Sequence, residues 1–268
     1  MSGGIVVVSD HTRAHVVESL ISQGFATGAV VVGRGRLPSG AYGSLSEALG
    51  RQPRGVAFLT PYSNLGEDCK TCSAAGIPFW VAGPVPGSDP SRSFSRWRHA
   101  PEVRALMDGS ENAAFGSPVY YRRIIGGGTS LLATWWALED GLREAQTLLR
   151  ATPVRRLLSA GKQGRHWHAA LHLTMENSST AQIVVTPSAP IVPADRSLLG
   201  TGGMIIVKGA HNAIPVQTST GTELLYDHTW PEVAWLQAVA DASDPAPAEA
   251  DLLRYLRRAA RSRHIETC

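Results

Sequence analysis

Gly4-Ile5-Val6-Val7-Val8-Ser9-Asp10 is the stretch that decides the fold. Its four consecutive β-branched residues show no alternation of polar and apolar positions, the pattern of a strand covered on both faces in a parallel sheet. Ser9 or Asp10 is placed to cap a following helix whose apolar positions include Val16, Val17, Leu20 and Ile21. Residues 28–33 repeat the buried-strand pattern, and Ser44 with Glu47 forms a capping box at the next helix start. A third strand at 55–59 ends in the turn Thr60-Pro61-Tyr62-Ser63-Asn64. A helix through Cys69 and Cys72 then runs to Gly76, and residues 78–82 supply a fourth strand. Strands alternating with helices at this spacing imply a parallel sheet with right-handed crossovers. Ligands of such sheets sit outside the carboxyl ends of the strands.

Beyond residues 84–95, a Pro/Gly/Ser-rich break read as a linker, the pattern changes. A strand at 119–125 precedes Gly126-Gly127-Gly128 and a long apolar helix at 130–149. Strand-like segments follow at 166–175, 181–186, 197–199, 204–208 and 216–218. Two helices, 230–242 and 248–263, are separated by Pro245-Ala246-Pro247. Runs of strands after one helix fit an open antiparallel sheet with a helix on one face. The expected architecture is therefore α/β. A truncated Rossmann-like parallel-sheet domain spans 1–95, and an α+β domain with an open, mostly antiparallel sheet spans 96–268.

Composition narrows the partners. With 268 residues, 43% hydrophobic and 18% charged, the chain matches an ordinary globular protein able to bury a core. A net charge of +3 without a block of like charges argues against nucleic acid. The basic stretch at 254–263 alternates with Leu256, Ala259 and Ala260, as a solvated helix face does. No run reaches the roughly 18 apolar residues of a membrane helix. The N-terminus lacks a signal peptide's basic flank, so the expectation is a cytoplasmic protein without a membrane partner. Three cysteines are too few for a disulfide framework. Cys69 and Cys72, three apart on a helix, share one face and read as core thiols packed on the sheet, against a redox or zinc pair.

Residues 59–64 together with Ala74-Ala75-Gly76-Ile77-Pro78 resemble the glucose–fructose oxidoreductase/inositol dehydrogenase (Gfo/Idh/MocA) family. That family has a Thr-Pro turn beneath its cofactor and a helix ending in Ala-Gly. Phe115-Gly116-Ser117-Pro118-Val119, the triple glycine and Gly200-Thr201-Gly202-Gly203 resemble later family motifs, in the same order. The resemblance implies a nicotinamide cofactor held by Ser9, Asp10, Thr12, Arg13, Thr60 and Pro61. It also implies a substrate between two domains, and a dimer contact through the open sheet face.

The departures bear on function. A dinucleotide turn, G-x-G-x-x-G, lets backbone amides approach the pyrophosphate; here it is Ser9-Asp10-His11-Thr12-Arg13-Ala14. At the end of the second strand stands Gly33-Arg34-Gly35-Arg36, where Arg34 would suit the 2′-phosphate of NADP or simply sit in a solvated loop. The family's Glu-Lys-Pro corresponds to Ala82-Gly83-Pro84, and its helix Asp and His to Leu132 and Trp136. Leu and Trp cannot act as acid or base. The segment between Pro84 and Trp97 is also short by about one helix and one strand relative to the family, so the first domain should be truncated there.

Other candidates are weighed on residue chemistry. His166, His168 and His172 share one strand face, but His172 lies about 13 Å beyond His168 at roughly 3.3 Å per residue, too far for one ion. No metal is expected. Trp97 and Trp136 line either an aromatic pocket or a core. Arg122 or Arg123 is placed to hold an anionic substrate group, and Tyr120 and Tyr121 are candidate proton donors or acceptors. The expected function is a transformation of a small biosynthetic intermediate in the interdomain cleft, by non-redox chemistry or as an accessory subunit with no cofactor. The alternative is an NADPH-dependent imine or carbonyl reductase. Either would assemble with itself or with a homologue.

Overall fold

The opening apolar run needs cover on both faces, and the fold supplies it by making that run the centre of a sheet. The computed structural model describes residues 4–33, 39–85, 97–126, 128–187, 195–208, 214–218, 221–225, 233, 235–236, 250–262 and 266–267. Two compact units form: Met1–Arg96 with Trp230–Ala248, and Trp97–Thr229 with Glu249–Cys268. A single cut after residue 95 is the expectation from sequence; the units add the return segment at 230–248.

In the first unit the strands are β1 (Ile5–Asp10), β2 (Gly28–Val32), β3 (Ala41–Tyr42), β4 (Gly55–Phe58) and β5 (Phe79–Val81). They lie in the order β3-β2-β1-β4-β5, every pair parallel. Among the described residues the sheet ends at β5, as the short segment after Pro84 implies. A 3₁₀ turn, His11–Arg13, separates β1 from α1 (Ala14–Ser22), which buries Val16, Val17 and Leu20. The expected Ser9 or Asp10 cap of α1 is corrected: β1 runs on through Asp10 and the 3₁₀ turn follows, so the cap position of α1 falls to Arg13, which makes no side-chain cap hydrogen bond. α2 (Leu45–Gly50) has its cap as read. Ser44 Oγ accepts from the Glu47 N–H at 3.2 Å, and Glu47 Oε2 accepts from the Gly43 N–H at 2.8 Å. α3 (Leu65–Ala74) stops at Gly76, whose φ of +66° is left-handed.

The second unit opens with the 3₁₀ turn Trp97–His99 and α4 (Pro101–Ser110). β6 (Pro118–Gly126) leads into α5 (Leu131–Leu149), then the meander β7 (Pro153–Gln163), β8 (His166–Met175) and β9 (Thr180–Thr186). β10 (Asp195–Gly200), β11 (Met204–Lys208), β12 (Ile214–Thr218), β13 (Gly221–Leu225), α6 (Ala250–Ser262) and β14 (Glu266–Thr267) follow. Among the described residues nine strands form one sheet, β13-β12-β11-β10-β6-β9-β8-β7-β14. β6 and β9 pair in parallel and the other neighbours antiparallel. The exception follows from the path: α5 returns the chain, and three hairpin-linked strands bring β9 back in the direction of β6.

Strand alternation sorts the sheet. Ala169, Leu171, Leu173, Ala181, Ile183, Val185, Leu198, Ile205 and Val207 are buried. His168 and His172 are exposed, as are Leu199 and Met204. α6 buries Leu252, Leu253, Leu256 and Ala259 and keeps Arg254, Arg257, Arg258 and Arg261 exposed, the solvated face read from sequence. Five elements escape the sequence reading: β3, α4, β7, β13 and β14. In β7 the pairs Arg155-Arg156 and Leu157-Leu158 obscure the period of two, and the register slips between Pro153 and Arg155. The helix expected at 230–242 lies outside the described residues, except that Val233, Trp235 and Leu236 are helical and buried.

One glycine sets how closely α5 approaches the sheet, and another how closely the chain ahead of α5 passes β8. A Cβ on Gly141 would lie 2.6 Å from Ile183 Cγ2, and one on Gly128 would lie 2.0 Å from the Trp167 carbonyl oxygen. Gly128 also donates to Thr186 O at 3.0 Å and accepts from the Trp167 N–H at 2.6 Å. Gly128→Ala therefore forces backbone apart and is expected to destabilise the fold by about 1–3 kcal/mol. Urea unfolding measures this, and an unchanged midpoint would show that β8 yields without cost.

Candidate functional site

In the order β3-β2-β1-β4-β5 the chain changes direction between β1 and β4, and in open parallel sheets such a switch point is where ligands sit. Ser9, near the end of β1, is fully buried. Thr60, two residues beyond β4, is 2% exposed, and neither hydroxyl has a hydrogen-bond partner among the described residues. An unmade hydrogen bond at a buried hydroxyl costs about 1–3 kcal/mol, so such groups call for a partner. Asp10, Arg13 and Pro61 are half-buried at the same edge, while the side chain of Thr12 and all of Arg34 lie outside the described residues. α1 begins here with no acid in its first turn and no side-chain cap hydrogen bond from Arg13, at the end where a helix dipole is positive.

Sequence reasoning missed His11. It is exposed, and its Nδ1 lies 3.8 Å from where a Cβ on Gly33 would stand, so its ring spans from the end of β1 to the end of β2. The signal was its place in the turn: a ring where a dinucleotide loop has hydrogen. The edge fits an anion, through the helix end and the two hydroxyls. It does not fit a pyrophosphate laid against a glycine backbone.

The second unit redistributes the proposed substrate residues. Tyr121 and Arg123 alternate onto the face covered by α5, and both are buried. There Arg123 Nη1 meets Glu144 Oε1 at 2.8 Å. Arg196 donates Nε to Glu144 Oε2 and Nη2 to Oε1, each at 3.2 Å. The Tyr121 hydroxyl donates to Glu144 Oε2. Burial alone would raise the Glu144 carboxyl, but Arg123 and Arg196, with the hydrogen bonds from Arg196 and Tyr121, hold it below the usual carboxylate range. Burial and then Glu144 push the Tyr121 phenol well up. Tyr121 is thus corrected from candidate acid–base group to buried donor, and Arg123 from substrate clamp to internal counter-ion.

Tyr120 and Arg122 alternate to the opposite face, half-buried, where the Tyr120 hydroxyl donates to Gln182 Oε1 at 3.3 Å. Trp97 and Trp136 are buried, Trp97 against Ala100 and Val103, so both take the core reading. The neighbouring Trp135 donates Nε1 to the buried Glu139 at 3.2 Å.

Cys69 and Cys72 are free and buried on α3. Burial pushes both thiols up to about 12, helped at Cys69 by Cys72 and at each by Asp68. Burial also raises the Tyr62 phenol, which donates to Asp68 Oδ2 at 2.6 Å. Among the described residues no three His, Cys, Asp or Glu side chains group as metal ligands, and no helix is long and apolar enough to cross a membrane.

No protein-family model and no curated protein matches the chain. Solved structures do. UDP-N-acetylglucosamine 3-dehydrogenase GnnA from Acidithiobacillus ferrooxidans aligns over 98% of this chain and 99% of its own, at 14% identity and a TM-score of 0.62. GenD2 from gentamicin A biosynthesis, solved with NAD, aligns over 100% and 97% at 14% identity and a TM-score of 0.61. Levoglucosan dehydrogenase, solved with NADH and levoglucosan, aligns over 98% and 99% at 12% identity and a TM-score of 0.63. The chain has the fold of Gfo/Idh/MocA-type oxidoreductases. At these identities the likeness concerns the fold alone.

Glu144→Gln removes the carboxylate that two buried guanidinium groups share, and is expected to destabilise the protein by about 3–5 kcal/mol in urea unfolding at neutral pH. Because the folded carboxyl titrates below its unfolded value, the stabilisation is complete above the unfolded range and is lost as pH falls through the folded one. The variant should lack that acid-side loss; an identical acid profile would assign it to other groups. Iodoacetamide at neutral pH should leave Cys69 and Cys72 unlabelled until the protein is unfolded, as read by peptide mass spectrometry. Rapid native labelling would show that α3 opens.

Proposed function

We propose that this chain is a catalytically divergent protein of the Gfo/Idh/MocA type that acts on a small biosynthetic intermediate by non-redox chemistry, or serves a homologue as an accessory subunit. One observation carries the reading. Each place where the fold's acid–base groups would stand is apolar or sealed. Ala82-Gly83-Pro84 replaces Glu-Lys-Pro, Leu132 and Trp136 replace Asp and His, and Tyr121 is locked on Glu144. A sugar hydroxyl cannot be oxidised without a group to take its proton. The biosynthetic setting is drawn from GenD2.

Assembly belongs to the same proposal. The open sheet face, with Tyr120, Arg122 and the exposed Leu199 and Met204, is offered to a second copy or a homologue in the cytoplasm.

The second reading is an NADPH-dependent imine or carbonyl reductase. It is favoured by the NAD and NADH seen in GenD2 and levoglucosan dehydrogenase, with Arg34 assigned to the 2′-phosphate. An imine needs less proton assistance than a hydroxyl. Titrating NADPH and NADH against the purified protein, followed by melting temperature, separates the two. The non-redox reading expects no saturable binding at millimolar cofactor. Micromolar NADPH binding that Arg34→Ala abolishes would replace it with the reductase. Activity that appears only on co-purification with a complete homologue would select the accessory role.

A further inference from the structure

We propose that the carboxyl edge of the parallel sheet is a phosphomonoester site in which His11 is the anion contact, so that the ligand carries one terminal phosphate and is not a dinucleotide. The inference rests on the non-redox reading above and names the ligand class of the same edge. Three independent features converge there. α1 has no acid in its first turn and no side-chain cap hydrogen bond from Arg13, and a helix N-terminus favours negative charge. Ser9, next to last in β1, and Thr60, two residues beyond β4, belong to the two strands that flank the switch point, each more than nine-tenths buried and without a hydrogen-bond partner among the described residues. The His11 ring reaches across to the end of β2, 3.8 Å from the Cβ position of Gly33.

The ring decides between one phosphate and two. A dinucleotide must carry its pyrophosphate past the turn backbone to place one nucleoside over β2, and the second glycine of the usual loop clears that passage. An imidazole standing between the ends of β1 and β2 closes it. The same imidazole offers an N–H to a phosphate that stops at the turn, a charge-assisted bond when the ring is protonated. Asp10, the one carboxylate in β1, alternates to the opposite side of the strand from Ser9. A hydroxyl-rich body attached to the phosphate would satisfy Ser9 and Thr60, as a nucleoside or a sugar does.

Calorimetric titration of the full chain with adenosine 5′-monophosphate, glucose 6-phosphate, inorganic phosphate and NADPH tests this. Saturable binding of at least one monoester is expected. His11→Ala should weaken it about tenfold or more, the loss produced by removing one charge-assisted hydrogen bond. His11 is exposed, so this variant should keep the wild-type melting temperature. Ser9→Ala should weaken the organic monoesters more than it weakens inorganic phosphate. Preference for the nucleotide or for the sugar phosphate identifies the source of the phosphate. Failure of every monoester to bind at millimolar concentration, or equal binding by His11→Ala, overturns the proposal. NADPH oxidation with a carbonyl or imine substrate would overturn the non-redox reading instead, and the His11→Ala comparison is scored separately from it.

Discussion

Arg123 and Arg196 are direct cross-strand partners on β6 and β10, two guanidinium groups side by side on the face that α5 covers. Like charges in that position repel in water and more strongly in a core. The α+β unit accommodates them because Glu144 enters from α5 and binds both, with the Tyr121 hydroxyl filling a remaining acceptor site. α5 is thereby pinned in rotation and height over the centre of the sheet. The close approaches at Gly128 and Gly141 become possible in that setting, and the parallel β6–β9 pair lies under the same helix. A buried ion cluster is weak evidence for added stability and stronger evidence for a specified arrangement.

That cluster also takes up two of the candidate site residues of the second unit, Tyr121 and Arg123. Both alternate onto the α5 face of β6 and are spent on internal neutrality. The helix positions to which the family resemblance assigns an acid and a base hold Leu132 and Trp136. Packing has replaced titration along the N-terminal turns of α5, where Thr134, Trp135 and Trp136 are all buried.

The parallel sheet shows the opposite tendency. Its centre is fully apolar, yet its carboxyl edge keeps buried hydroxyls at Ser9 and Thr60, a helix start with no side-chain cap hydrogen bond from Arg13 and an imidazole where a glycine would lie flat. An edge evolved only for packing would have little use for two hydroxyls unpartnered among the described residues.

Local pattern was enough for much of this. The apolar runs at residues 5–8 and 28–32, the Ser44–Glu47 box and the Gly76 stop are written in periodicity and capping, because burial on two faces and the needs of a helix end act over a few neighbours. The order of weak motifs along the chain was enough to point to the fold. Short or irregular elements such as β7 and β14 were not legible, since their strand identity comes from partners far away in sequence. The roles of Tyr121, Arg123 and His11 were decided only by tertiary structure. A residue's type says what it can donate or accept, but whether it faces solvent, a counter-ion or the end of a neighbouring strand depends on which face the pleat turns and which helix covers it.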